Sequence, residues 1–295
     1  MIENKFPGKD ITFEDIKNKI PLVAKKNINH KSKFKISGIE FGGKKIPIFA
    51  GPNMVESKKL IFDVAKNVKK IGASFLRGGA FKPLTFPYRS EKYYETREEG
   101  IKWLGEAKEK YNIPIITEIM ETKYLDLICD VADILQIGSR NMQNYPLLID
   151  CAKSMKPIML KRHYGASLRD WLGAAEYIMY HGNPRVILCE RGVSVPHTHR
   201  DTSRYLLDLQ VVVAAKEITH LPIVVDPSHA TFWRPWVKNM AFASIASGAD
   251  GIMLEVHPNP EKSAVDPLQP INYKDFKKLF KKMNAIAKVS HGRKL

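Results

Sequence analysis

The sequence predicts a single α/β fold closed as a parallel barrel, on three observations. Eight short β-rich runs follow one another from about residue 46 to the end, each is followed by a helical or loop segment, and ionic residues gather at the ends of the runs and in the first loop residues beyond them. Alternation of strand and helix signals is the mark of parallel βα units, and eight of them in one chain point to a (β/α)8, or TIM, barrel. The strand candidates are Ile46–Gly51, Ser74–Gly78, Ile113–Ile119, Asp133–Gly138, Pro157–Lys161, Val186–Glu190, Pro222–Asp226 and Gly251–Val256. Between them, Glu98–Tyr111 carries Ile101, Leu104 and Ala107 at helical spacing, and Tyr145–Ser154 is a weaker helix pattern. The first 45 or so residues break the repeat: Phe13–Lys25 reads as a helix, and Phe34–Phe41 with Gly42-Gly43 as a hairpin placed to cover the bottom of the barrel. The expected division is therefore an N-terminal extension over residues 1–45 and a barrel over residues 46–295.

The chain has 295 residues, 44% hydrophobic and 26% charged, the balance of a folded globular protein. No apolar run reaches the roughly 20 residues of a membrane span, and Met1–Lys5 lacks the apolar core of a secretory signal, so a cytoplasmic protein without a membrane partner is expected. Cys129, Cys151 and Cys189 show no metal-binding or disulfide spacing. The net charge of +16 suits either nucleic acid or small anionic substrates. Because the lysines are spread along the chain, without a basic stripe interleaved with aromatics, nucleic acid is not expected as a partner.

Barrel enzymes build their sites where strands end. Those ends carry Asn53, Arg77 with Lys82, Glu118, Arg140, Lys161 with Arg162, Glu190 with Arg191, Asp226 with His229, and Glu255 with His257. One such residue is usually a structural ion pair, but convergence from every strand suits a small polyanion bearing phosphate or carboxylate. Of the embedded carboxylates Glu118, Glu190 and Glu255, at least one is expected to orient a water or move a proton.

Seven runs sit in register at these ends: GPNMVES (Gly51–Ser57), LRGGAFKP (Leu76–Pro83), QIGSRNMQN (Gln136–Asn144), LKR (Leu160–Arg162), CERG (Cys189–Gly192), VDPSHAT (Val225–Thr231) and EVHP (Glu255–Pro258). Together they resemble the 3-deoxy-D-arabino-heptulosonate 7-phosphate (DAHP) synthase family, in the branch related to 3-deoxy-manno-octulosonate 8-phosphate synthase. The resemblance implies that phosphoenolpyruvate condenses with an aldehyde to give a 3-deoxy-2-keto sugar acid. It implies that Arg140, Lys161 and Arg191 hold the phosphate with help from Ser139, and that Arg77 and Lys82 lie near the carboxylate. Glu118 would stand near the attacking water, and Asp226 would shape the turn that presents His229. A catalytic set of Lys82, Glu118, His229 and Asn53 follows.

The family's divalent metal would fall to Asn53, His229, Glu255 and Asp266, but Asn53 stands where metal-dependent members carry cysteine. A neutral amide lacks the thiolate's affinity for zinc or iron. No metal is therefore expected to be essential, the alternative being weakly bound manganese or magnesium. In the acceptor pocket the family's arginine is replaced by Leu84, leaving Thr85 and Arg89 as candidate contacts. His197, His199, Phe232, Trp233 and Trp236 add rings near the mouth, His197 and His199 reading as metal ligands, acceptor contacts or plain solvated loop residues. Three readings stay open: a heptulosonate-phosphate synthase, the same chemistry on an unphosphorylated sugar or nucleoside aldehyde, and a non-catalytic anion-binding regulatory homologue. A homo-oligomer is expected, and allosteric control by aromatic amino acids is not.

Overall fold

The computed structural model describes residues 13–82, 95–196 and 204–295. An antiparallel hairpin, β1 (Phe34–Ile36) and β2 (Ile39–Phe41), precedes eight parallel strands. These are β3 (Ile48–Gly51), β4 (Phe75–Arg77), β5 (Ile115–Glu118), β6 (Ile134–Ile137), β7 (Ile158–Lys161), β8 (Val186–Glu190), β9 (Ile223–Val225) and β10 (Gly251–Glu255). Each pairs with the next, and β10 pairs with β3, closing the barrel. The expected strands are all present, most shorter by a residue or two at their ends, where backbone groups leave the ladder for loops.

The helices are α1 (Phe13–Lys19), α2 (Lys58–Ile71), α3 (Arg97–Tyr111), α4 (Leu125–Val131), α5 (Tyr145–Lys153), α6 (Leu168–Tyr180), α7 (Leu209–Ile218), α8 (Pro227–Thr231), α9 (Arg234–Ala246) and α10 (Tyr273–His291). Their boundaries follow local chemistry. Ser57 caps α2 by accepting from Leu60 N, and the helix buries Ile61, Val64, Ala65 and Val68 at three- and four-residue spacing. Ser167 and Asp170 close a reciprocal capping box on α6. The first helix stops at Lys19 and not at Lys25, because Pro21 disfavours helical backbone in the residue before it.

Two apolar layers result. The outward strand residues, such as Ile48, Leu76, Ile158, Leu188 and Leu254, join the helices in one continuous buried cluster. The inward residues Phe49, Phe75, Ile116, Ile134, Met159, Ile187, Cys189, Val224 and Met253 form a second cluster inside the barrel, joined by Ile36 and Phe41 of the hairpin. Phe41 is fully buried, its ring centroid 6.1 Å from that of Phe49 and 5.9 Å from that of Phe75. The hairpin turns at Ser37-Gly38, both at positive φ, and plugs the barrel bottom with aromatic surface. No helix among the described residues is long and apolar enough to cross a membrane.

Candidate active site

Side chains along a strand alternate faces, so two residues beyond each inward apolar residue lies another inward position, now at the C-terminal end. Those positions hold Gly51, Arg77, Glu118, Gln136, Lys161, Arg191, Asp226 and Glu255. Gly51 carries no side chain because a Cβ there would meet the Arg77 carbonyl oxygen at 2.1 Å. Gly138, just past β6, likewise leaves room for Glu118: a Cβ would fall 1.8 Å from Glu118 Oε1.

The buried charges form one hydrogen-bonded chain across the mouth. Lys161 Nζ donates to Asp226 Oδ2 at 2.7 Å, and His229 Nδ1 meets the same oxygen at 2.7 Å. Asp226 also caps α8 by accepting from His229 N, which fixes the turn that presents the imidazole. His229 Nε2 lies 3.0 Å from Glu255 Oε1, which accepts from Arg77 Nη1 at 3.1 Å. Arg77 Nη2 donates to Asn53 Oδ1 at 3.1 Å, and Asn53 Nδ2 donates to Asp266 Oδ2 at 3.1 Å. Arg204 Nη2 completes the chain on Asp266 Oδ1 at 2.9 Å.

Burial works to raise the carboxyls in this chain, but the surrounding cations outweigh it. His229 and Lys161 hold Asp226 well below the usual carboxylate range, and His229 with Arg77 holds Glu255 down to about 2. Burial pushes the Lys82 ammonium below its ordinary value, against the pull of Glu118 at 3.8 Å.

Above the chain lies a cavity of about 430 Å³, within the range of small-molecule sites. Of the residues expected from the sequence, Arg77, Lys82, Glu118, Ser139, Arg140, Lys161, Arg191, His229 and Asp266 line it. Asn53, Asp226 and Glu255 stand behind, almost wholly buried, holding the lining cations in place. Arg77 Nε and Arg191 Nη1 are buried without a hydrogen-bond partner, donors left over at a site rich in them.

Several expectations are corrected. Glu190 and Arg162 point away from the cavity and pair with each other at 3.1 Å, with Arg162 also on Asp208 at 2.8 Å. They are neighbours of the inward residues Arg191 and Lys161, so strand alternation turns them outward. Burial raises the Glu190 carboxyl despite Arg162. His257 faces Glu56 at 3.4 Å and not the cavity, because the chain leaves the barrel wall after β10 to pair with Ile271. Trp233 and Trp236 begin α9 and do not line the cavity, whereas the Phe232 ring lies under Arg204 at 4.0 Å. Leu84, Thr85, Arg89, His197 and His199 lie outside the described residues. Gln136, Tyr164, Arg204 and Tyr205 line the cavity and were not anticipated. Counting by two from Ile134 finds Gln136. The other three depend on how loops return to the mouth.

The residues aligned with a metal site do not fit a resident ion. Among the described residues no three His, Cys, Asp or Glu side chains are grouped to hold one. Asn53 Oδ1 and Glu255 Oε1 both accept from the Arg77 guanidinium, a fixed cation, and both Asp266 oxygens are taken by Arg204 and Asn53. Of this donor set only Glu255 Oε2 lacks a partner.

A closed (β/α)8 barrel with a cation-rich cavity at the C-terminal end of its strands defines an enzyme of the class that handles small anionic substrates. The model of the DAHP synthetase I family matches residues 23–290, and the chain belongs to that family of synthases. The phospho-2-dehydro-3-deoxyheptonate aldolase of Thermotoga maritima is 38% identical over 252 residues, covering 85% of this chain and 73% of that protein. The 2-dehydro-3-deoxyphosphooctonate aldolase of Fusobacterium nucleatum is 28% identical over 285 residues, covering 90% of this chain and 99% of that protein. A truncated form of the Thermotoga maritima 3-deoxy-D-arabino-heptulosonate 7-phosphate synthase superposes with a TM-score of 0.82 at 35% identity, covering 92% of this chain and 97% of that one.

Proposed function

We propose that this enzyme condenses phosphoenolpyruvate with an aldehyde, most closely as a 3-deoxy-7-phosphoheptulonate synthase does, and does so without an essential metal. The observation carrying the reading is the convergence of Arg77, Lys82, Lys161 and Arg191 from three βα units onto one cavity beside the buried Asp226 and Glu255. In this reading Arg140, Lys161 and Arg191, with Ser139, take the phosphate of phosphoenolpyruvate, and Arg77 and Lys82 take its carboxylate. Its C3 forms the new bond to the aldehyde carbon while the aldehyde oxygen accepts a proton, for which His229 and Lys82 are the donors at hand. C2, left electron-poor, is attacked by water, whose proton passes to Glu118. The C2–O bond to phosphorus then breaks as the new hydroxyl loses its proton to the departing phosphate, which releases inorganic phosphate and leaves the 2-keto acid. Asn53 acts by orienting Arg77 and Asp266, and Thr85 and Arg89 are kept as acceptor contacts.

Metal independence rests on Asn53, whose amide is engaged on both sides by protein partners. The division into an extension over residues 1–45 and a catalytic barrel over residues 46–295 belongs to the same reading, as does a cytoplasmic homo-oligomer. Support for the division is that every barrel strand lies beyond residue 46. The same chemistry on an unphosphorylated aldehyde is the second reading, favoured by Leu84 and by the Tyr164 and Tyr205 rings at the rim.

The test mixes metal-stripped protein with phosphoenolpyruvate and a panel of phosphorylated and unphosphorylated aldoses, following phosphate release and new 2-keto acid with and without manganese. Turnover unchanged by chelation is expected. Activity that vanishes on chelation and returns with manganese would overturn the metal-free part, and no phosphate release with any aldehyde would overturn the whole, leaving a non-catalytic anion-binding homologue.

A further inference from the structure

Three cations at the strand ends are paired with carboxylates: Arg77 holds Glu255, Lys161 holds Asp226 and Lys82 faces Glu118. Arg204 differs from them in origin and surroundings. It comes from the long connection between β8 and α7, lines the same cavity, and keeps about a third of its side chain exposed. Among the described residues only one of its nitrogens has a hydrogen-bond partner, Nη2 on Asp266, while its face rests on the Phe232 ring. The two residues that hold it are themselves held in a conformation side chains rarely adopt: Phe232 has φ +56° and Asp266 φ +49°. Left-handed backbone at non-glycine residues costs energy and persists where the surroundings impose it, often at ligand sites. Two of the six such residues among those described converge on this one guanidinium.

The neighbouring surface suits a carbon chain leading up to that charge. Tyr205 stacks under Arg191 at 4.4 Å and against Tyr164 at 5.5 Å, and Val265 adds an apolar side chain to the same wall. Gly192, at φ +97°, permits this packing, since a Cβ there would meet Tyr205 Cβ at 2.8 Å.

We infer that Arg204, seated on Phe232 and Asp266, is the specificity-determining residue that binds the anionic end of the acceptor aldehyde. The inference rests on the two-substrate reading above, in which the strand-end cations are committed to phosphoenolpyruvate and the second substrate must occupy the remaining rim. The shared chemistry is a tetrahedral phosphate or a planar carboxylate, either of which a guanidinium can grip with two N–H groups.

Short-chain alditol phosphates and the matching aldonate, which have no aldehyde to react, serve as probes by calorimetry on the wild type, Arg204→Gln and Arg204→Lys. Kinetics with phosphorylated and unphosphorylated aldoses run alongside. The expected result is that Arg204→Gln weakens the anionic probe about 30-fold, as loss of a charged hydrogen bond does. It should raise KM for the matching charged aldose similarly, leave KM for phosphoenolpyruvate and for the uncharged aldose within about twofold, and be partly rescued by lysine. Whichever probe loses affinity identifies phosphate or carboxylate. The inference is overturned if wild type binds neither probe, if charged and uncharged acceptors weaken together, or if only kcat falls, which would make Arg204 a mere holder of Asp266. Probe binding that depends on Arg204 in a protein that turns over no aldehyde would sustain the inference and sink the proposed reaction.

Discussion

Two layers of side chains fill this barrel, and they come from the same strands two residues apart. Phe49, Phe75, Ile116, Met159, Cys189, Val224 and Met253 lie below; Gly51, Arg77, Glu118, Lys161, Arg191, Asp226 and Glu255 lie above. The lower layer is stabilised by removal of apolar area from water, a non-directional gain that each side chain contributes independently. The upper layer holds only because nearly every charge has a partner in a fixed direction, and breaking one leaves another buried and unpaired. The lower layer therefore contributes stability indifferent to pH, whereas what the upper layer contributes depends on its charges.

Substitutions can break or sharpen that contrast. The largest effect is expected from Phe75→Ala, which empties the centre of the aromatic stack with Phe41 and Phe49. It should cost about 3–5 kcal/mol in denaturant unfolding while KM for phosphoenolpyruvate stays unchanged; a shifted KM would show the layers to be coupled. Lys161→Met moves lower-layer chemistry upward and leaves Asp226 with His229. A fall of about 10²-fold in kcat/KM for phosphoenolpyruvate is expected, close to 3 kcal/mol, and steady-state kinetics would read it.

Acid sensitivity should belong to the upper layer. Glu255 is held down to about 2, and Asp226 is held well below the usual range, so both contribute stability that is present above ordinary carboxylate values. It is lost as pH falls from about 4.5 through those folded-state values. Glu255→Gln should flatten the acid limb of a stability profile, and an unchanged limb would place the sensitivity elsewhere. The smallest effect concerns Lys82, whose ammonium is lowered by burial. In the proposed reaction its charged form is the useful one, so kcat/KM should begin to fall with rising pH below lysine's ordinary value, and Lys82→Arg should move that limb upward.

Strand positions were legible because β-rich runs recur eight times, and the ionic strand ends were legible because apolar runs stop abruptly at charged residues. Which of two adjacent charges faces inward was not. The barrel strands are apolar on both faces, so Val186–Cys189 shows no alternation that would separate Glu190 from Arg191, and Leu160 gives no clue between Lys161 and Arg162. Counting by two from Met159 or Ile187 settles it once the lower layer is known. Tyr164, Arg204 and Tyr205 were hidden for a different reason: they reach the mouth through loop pairings such as Val193 with Leu206, which no local pattern announces.

The cage has a consequence at the far end of the catalytic cycle. The donors proposed to seize the phosphoryl oxygens of an incoming substrate, Lys161 and Arg191 with Arg140, would face the same oxygens after the C2–O bond has broken, now on free orthophosphate. A pocket that grips before and after the bond breaks accelerates nothing by that grip, since only interactions stronger in the transition state raise turnover. Its departure step would then govern the steady state, with orthophosphate acting as a competitive brake on the next molecule of phosphoenolpyruvate.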